Sequence, residues 1–466
     1  MKSGLIFWSL VIPILAAPLP FGSVSEWAWG PQVIIAAFVL AAWILFVVTG
    51  GLTVTVGLKQ IAIPAVLFGV TIVWILIQLA PFTPASWHHP VWREAATALG
   101  TTAGSRITVD PDRSAAGIAR LLWYATVFWL ALQLGRDRVI ARRSIWLVSV
   151  AAAAYAAYGL AVHLGGTETV LWTKKNVYLG SLTSTFVNKN SYAAFAGLGL
   201  ICLTSLLAER LIERSTEGET SGGRFALLAN ELIAKGWPLL VGWFLVATAL
   251  ILANSRAGLA SGIIGLIALI MAIAASRSVS SRFSKWFAGI TVGAILIFVI
   301  VSGGQVLHRF DKTIEAAGSR IALYELTLRA IDDSPMLGMG YGTFPRVFEL
   351  YRVPVLTASI YEARHTAQKA HNTYLENALE LGIPVATALT LSVVWFVGAC
   401  ILGIRRRRRD SMYAAVGIAA SVLVGIHSIF DFSLQIPAIC VTYFFLLGIA
   451  CAQSWSTHKS KDGFAR

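Results

Sequence analysis

Three residues of this chain have side chains that could bind phosphate or move a proton. They are Arg256 in Asn254-Ser255-Arg256-Ala257-Gly258, Arg320 in Gly318-Ser319-Arg320, and His371 in Ala370-His371-Asn372-Thr373-Tyr374. A guanidinium stays charged at any working pH and grips phosphate oxygens through paired N–H donors. Histidine can accept a proton near neutral pH. Taken alone, each has a plainer reading. Arg256 reads as an interface arginine whose charge reaches water, Arg320 as an exposed charge paired with Glu325, and His371 as a satisfied structural histidine. Together on one membrane face, with no carboxylate pair to hold a metal, they form a coherent set. Such a set could bind a lipid-linked diphosphate, stabilise it as a leaving group without a divalent cation, and deprotonate an attacking hydroxyl.

The elements that must position these residues are apolar. Hydrophobic residues make up 57% of the 466 residues and charged residues 13%, with a mean hydropathy of +0.72. A bilayer core about 30 Å thick takes about 20 apolar residues as helix, and backbone groups in lipid must be satisfied within the segment. The chain therefore reads as an all-α polytopic membrane protein of about twelve transmembrane helices. The runs lie near 4–20, 31–49, 61–80, 116–134, 144–164, 191–208, 237–253, 257–275, 287–303, 383–404, 412–429 and 437–453. The first resembles a signal peptide, with Lys2 ahead of the run and Ala16-Ala17 behind it. A retained helix is expected, because its removal leaves an odd number of spans.

Charge orients the bundle. The loops on the side of both termini hold more than half of the 37 Lys/Arg residues, including Arg136, Arg138, Arg142, Arg143 and the run Arg405 to Arg409, whereas the opposite loops are close to neutral. The positive-inside rule places both termini in the cytoplasm. The net charge of +14 is thereby explained by topology and attraction to anionic lipid, and a nucleic-acid partner is not expected. Cys202, Cys400, Cys440 and Cys451 all fall inside spans, without the spacing of a disulfide framework or a metal site. No metal and no cofactor are expected.

Three segments on the outer side are long, at 81–115, 165–190 and 304–382, while those at 254–256 and 430–436 are tight. Within the longest, Ile321, Tyr324, Leu328 and Ile331 recur at helical spacing and predict an amphipathic helix ending at Asp332-Asp333-Ser334-Pro335. Gly338-Met339-Gly340-Tyr341-Gly342 has the look of a nucleotide-binding glycine loop, but no strand precedes it. A tight turn leading back to the membrane is the reading. Residues about 369–381 predict a second helix that runs into the tenth span at Gly382-Ile383-Pro384. The flanking small residues of Arg256, with Gly258 and Gly262, allow close backbone approach and suit a ligand held against the helix ends. Trp27, Trp29, Trp87, Trp92 and Trp172 fit an interface belt. Arg120, a turn inside the fourth span, is expected to reach towards Asp110 and Asp112.

Four segments, taken together, carry a resemblance. Ser184-Thr-Phe-Val-Asn188-Lys-Asn190-Ser-Tyr-Ala-Ala-Phe195 comes first, then Asn254-Ser-Arg256-Ala-Gly258. Arg320 with Ser334-Pro-Met-Leu-Gly338-Met-Gly-Tyr-Gly-Thr-Phe344 follows, and His371-Asn-Thr-Tyr-Leu375 is last. In order, spacing and side, residues about 180–450 resemble the O-antigen ligase and polymerase superfamily. Val385 departs from the glycine that often follows Gly-Ile-Pro there.

The resemblance implies a C-type membrane glycosyltransferase in the bacterial inner membrane, its active site on the periplasmic side. It would move a glycan from undecaprenyl diphosphate to a hydroxyl of the lipid A core or of another glycan. His371 would be the base, with Arg256 and Arg320 binding the diphosphate. Asn188, Asn190 and Asn372 would lie near substrate, and Arg364 and His365 form a second basic pair that could share those roles. The organisation implied is a set of N-terminal helices over 1–180, a catalytic region over 181–453 with the periplasmic loop 304–383 inside it, and a cytoplasmic tail over 454–466. A polysaccharide polymerase and a protein O-oligosaccharyltransferase share the donor chemistry. A transporter or flippase is the alternative of another class, but such proteins bind near the midplane, often between internal repeats, and here the ionisable residues gather outside the spans.

Overall fold

The computed structural model describes residues 2–102, 104–215, 234, 236–276, 289, 293, 311–351, 368–407 and 411–455. Among them, every expected span but one is a helix: α1 (Lys2–Ala16), α2 (Glu26–Val48), α3 (Ala62–Leu79), α5 (Pro111–Leu134), α6 (Arg138–Leu164), α7 (Lys189–Ser215), α8 (Trp237–Leu252), α9 (Arg256–Ala274), α13 (Ile383–Arg406), α14 (Ser411–Phe430) and α15 (Pro437–Ser454). The expected span at 287–303 lies outside the described residues. Nine of these helices are long and apolar enough to cross a membrane, and α1 and α8 are shorter apolar helices. The chain is an all-α, multi-pass membrane protein.

Local chemistry sets where the helices begin. Asp110 caps α5 by accepting the Arg113 N–H at 3.1 Å, with Pro111 in the first turn. Asp137 caps α6 through Oδ1, 2.7 Å from the Val139 nitrogen, and Ser255 Oγ caps α9 from the Gly258 N–H at 3.1 Å. Each cap satisfies backbone donors that the helix itself leaves open.

The bundle has a protein-facing centre and a lipid-facing rim. In α7 the whole apolar window is buried and in α15 94% of it, against 17% in α2 and 22% in α3 and α13. The rim helices therefore turn residues such as Phe38, Val66 and Val394 outward, where acyl chains replace protein contacts. Lipid offers no hydrophobic gain for helix association, so close packing has to supply it. Small residues do this along α7, α9 and α14. A Cβ at Gly258 would collide with Ala193, one at Gly199 with Ala152, and one at Gly417 with Ala450. The space beside Gly258 is thus filled by Ala193 of α7.

At one end of the bundle the described parts of the longest outer segment form a cap. Helix α10 (Asp311–Asp333) and α11 (Phe344–Tyr351) pack with α12 (Thr373–Leu381) around Leu323, Leu326, Ala330, Phe344, Val347 and Leu379. Helix α10 stops at Asp333 as expected, but its buried face is Leu323, Leu326, Thr327 and Ala330, joined by Ile331. Ile321 and Leu328 are 56% and 48% exposed. Two apolar stripes run along this helix, and contact with α11 and α12 selects the one the spacing argument did not choose.

The glycine-rich turn does lead back to the membrane domain. Gly338, Gly340 and Gly342 all take positive φ, a region that costs other residues strain. In that conformation Met339 N–H and Gly340 N–H donate to the Leu379 and Glu380 carbonyls at 3.0 Å, and Val109 N–H donates to the Met339 carbonyl. Gln78 at the end of α3 donates to Leu337 O and Glu380 O at 2.7 and 2.8 Å. The segment before α5 holds a further helix, α4 (Val91–Leu99), and the segment before α7 a two-residue-per-strand hairpin at 169–174.

Candidate active site

His371 stands two residues before α12, and hydrogen bonds hold the backbone on either side of it. Its backbone sits at φ +54°, an uncommon conformation for a non-glycine residue that persists only when the surroundings impose it. Those surroundings are specific. Buried Glu376 accepts the Ala370 N–H at 2.7 Å and holds Lys369 Nζ at 3.3 Å. Tyr324 of α10 donates its hydroxyl to the His371 carbonyl at 3.0 Å and lies 3.3 Å from the Ile429 carbonyl. Asn372 Oδ1 accepts the Tyr374 and Leu375 N–H groups at 3.0 and 3.1 Å and so caps α12. Thr373 donates to the Asp431 carbonyl at 3.3 Å.

The ring of His371 is turned onto the hairpin between α14 and α15. It meets the Phe432 ring edge-on at 4.8 Å, and Nδ1 stands 3.7 Å from Asp431 Oδ1. That is ion-pair distance for a protonated ring and too long for a hydrogen bond; Nδ1 is buried without a hydrogen-bond partner. Asp431 itself is 1% exposed. It accepts the Phe432 N–H at 2.8 Å through Oδ1 and is hydrogen-bonded by Asn190 Nδ2 through Oδ2. His427, one turn earlier on α14, is also fully buried, with Nδ1 against Ser433 Oγ.

Burial holds His371 below the ordinary histidine pKa; the Asp431 charge opposes that shift and Arg320 reinforces it. Arg320 stands one turn before Tyr324 on α10, and its charge acts on both Tyr324 and His371. Among the described residues Glu325 does not close on it as an ion pair, contrary to expectation; its electrostatic neighbours are the groups around the histidine.

Asn188, Asn190 and Arg256 gather at the same end of the bundle. Asn188 Oδ1 accepts the Asn190 N–H at 2.7 Å at the start of α7, while the Asn190 side chain reaches across to Asp431. Arg256 is exposed at the first turn of α9. Helix α9 packs on both α7 and α14, and Asn254 Nδ2 ties the preceding turn to the Gly180 carbonyl at 3.0 Å. So His371 and Asn190 meet at Asp431, Arg320 and Asn372 stand next to the histidine, and Arg256 and Asn188 sit on neighbouring helix ends. Arg364 and His365 lie outside the described residues.

Asp431, Glu376 and Tyr324 were not singled out from sequence as site residues. Asp431 had a signal: it is the sole carboxylate between residues 411 and 455, and an ionisable group at a membrane helix end calls for a partner. The expectation for Arg120 fails. Asp110 is engaged by Arg113 at 3.5 Å and Arg346 at 3.3 Å. Arg120 instead lies 5.9 Å from the Trp29 ring centre, next to the Gly342 turn. Among the described residues no three His, Cys, Asp or Glu side chains form a metal-ligating group.

Residues 241–390 match the protein family described as O-antigen ligase. No curated protein matches the chain significantly. The matched stretch runs from α8 into α13 and contains Arg256, Arg320, His371 and Asn372. Over that stretch, about a third of its length, the chain is similar to the O-antigen ligase family.

Proposed function

We propose that this protein is an O-antigen ligase of the bacterial inner membrane, which transfers a glycan from undecaprenyl diphosphate to a hydroxyl of the lipid A core on the periplasmic side. The observation that carries the reading is the ring of His371 facing the buried Asp431 carboxylate at 3.7 Å, with the Arg320 charge acting on the same ring, in a family-matched region. The basic loops on the side of both termini support a cytoplasmic location for those ends, which leaves the cap formed by α10–α12 outside.

In the proposed reaction the acceptor oxygen bonds to the anomeric carbon of the first sugar. The bond from that carbon to the diphosphate oxygen breaks, and undecaprenyl diphosphate departs with the electron pair. Its growing negative charge meets Arg256 and Arg320, which work without a metal ion. The acceptor proton passes to His371. With Nδ1 facing Asp431, Nε2 is the nitrogen left for the substrate, and a pKa below the ordinary value keeps that nitrogen unprotonated at neutral pH. Asp431 then steadies the imidazolium, as a carboxylate does behind a catalytic histidine. Asn188 and Asn190 line the donor side.

A transfer assay with purified protein, a defined undecaprenyl diphosphate donor and two acceptors tests this. Product on lipid A core, unchanged by EDTA, is expected. Loss of activity in EDTA would remove the metal-free mechanism. In cells lacking the gene, every O-antigen band should vanish from the core while donor accumulates; a core bearing a single repeat would make the protein a polymerase instead.

A further inference from the structure

Helix α14 nears its end through a run of apolar residues that His427 interrupts. The ring is fully buried, and the Asp431 N–H donates to the His427 carbonyl at 2.9 Å. An imidazole enclosed at that depth has two ring nitrogens to satisfy, and the fold satisfies one. Nδ1 meets Ser433 Oγ at 2.5 Å, whereas Nε2 is buried without a hydrogen-bond partner. An orphaned polar atom costs desolvation that no partner offsets, and an apolar side chain at 427 would avoid that cost. What the imidazole contributes is thus concentrated at Nδ1.

The contact at Nδ1 spans the connection that carries Asp431. His427 stands on the last turns of α14, and Ser433 opens the short turn Ser433–Gln435 that leads into α15. Between them lie the two residues that the His371 ring faces, Asp431 with Oδ1 at 3.7 Å and Phe432 with its ring at 4.8 Å. Ser433 is buried as well, so water is excluded from the contact and its loss would leave buried polar groups bare. The other holds on Asp431 are the Phe432 N–H at 2.8 Å, Asn190 Nδ2, and the Thr373 hydroxyl on its carbonyl at 3.3 Å. None of these joins the two flanks of the connection. The His427–Ser433 contact does.

We infer that His427 is a positioning residue for the transfer reaction, its Nδ1 contact with Ser433 fixing the α14–α15 connection so that the Asp431 carboxylate faces the His371 ring. This rests on His371 being the base. Besides burial, the groups that tune the His371 ring are Asp431, Arg320 and Glu376, and a loosened connection removes part of the Asp431 share alone. In the transfer assay with full-length protein, His427→Leu should lower kcat about tenfold, less than loss of the base itself. The donor KM should stay within about twofold, and the acid limb of kcat/KM should move to lower pH, because Asp431 holds the His371 pKa up. Ser433→Ala cuts the same contact from its other end and should reproduce both changes. His427→Asn, with an amide near the Nδ1 position, should recover most of the rate, and His427→Gln, with its amide near the Nε2 position, should not. Added to Asp431→Asn, His427→Leu should cost no more than about a further twofold, since both act through one carboxylate. Wild-type rate and acid limb in His427→Leu or Ser433→Ala, a lowered melting temperature with an unmoved limb, equal recovery by Gln and Asn, or full addition of the two losses would each overturn the inference. Should His427→Leu not fold, Ser433→Ala decides. Transfer that survives His371→Ala would sink the transferase mechanism itself, whereas a protein silenced by His371→Ala but indifferent to His427 and Ser433 sinks this inference alone.

Discussion

The two ends of the helix bundle handle charge in opposite ways. At the end holding His371, the carboxylates beneath the site are sunk among protein groups: Asp431 and Glu376 are each 1% exposed, and each accepts two or more contacts from named partners, while Arg113, Arg256 and Arg346 stay at the surface. At the other end, charge is plentiful and mostly spread over the surface. Its structural work there is to finish helices. Arg136 Nη1 donates to the Ala452 and Trp455 carbonyls at 2.8 Å, and Arg407 donates to the Trp455 carbonyl at 3.0 Å as well as to Gln453, so two arginines close the carboxyl end of α15. Burying an ionised group costs several kcal/mol unless partners compensate, and a terminal arginine reaching water avoids that cost. The difference separates groups held for a reaction from groups that stop a helix and anchor it in the membrane.

Substitutions at the two ends should therefore read out differently. The largest effect is expected for His371→Ala, which should lower transfer by about 10²–10⁴-fold, the range for loss of a general base, with donor binding and elution profile retained. Next, Arg256→Lys should cost about tenfold or more in kcat/KM in the same assay, because an ammonium cannot reproduce the two-pronged grip on phosphate; full activity would take Arg256 out of the diphosphate site. Smaller still, Arg407→Gln at the opposite end should leave transfer within about twofold and instead lower the melting temperature, consistent with loss of hydrogen bonds worth about 1–3 kcal/mol. A large loss of transfer in that variant with melting unchanged would erase the contrast between the ends.

The span pattern was legible in the sequence because lipid imposes it: a helix that must hide its backbone from hydrocarbon needs an apolar run, and all runs among the described residues became helices. His371 stood out for the same reason, as a rare polar group beside apolar runs. Asp431 did not, since its hairpin is short and its partner lies 60 positions earlier; only the fold of α12 against α14 joins them. The face of α10 was equally hidden, because Ile321 and Leu328 keep helical spacing as well as the residues that are actually buried. Asn190 and Asn372 were legible as polar residues near the site. Their use as a hydrogen-bond partner of Asp431 and a cap of α12 depends on backbone geometry that spacing does not carry.

A pH–rate profile of kcat/KM, for the wild type beside Asp431→Asn and Arg320→Gln, tests most directly whether His371 is the base. Burial lowers the His371 pKa, Asp431 raises it and Arg320 lowers it, so the rate of the wild type should hold through neutral pH and fall only below about 6.5, the ordinary histidine value. Removing the Asp431 charge should move that acid limb to still lower pH, and removing the Arg320 charge should move it up, whatever either change does to the maximal rate. Acid limbs that coincide in all three proteins, or that shift in the reverse directions, would contradict a catalytic histidine tuned by these two neighbours.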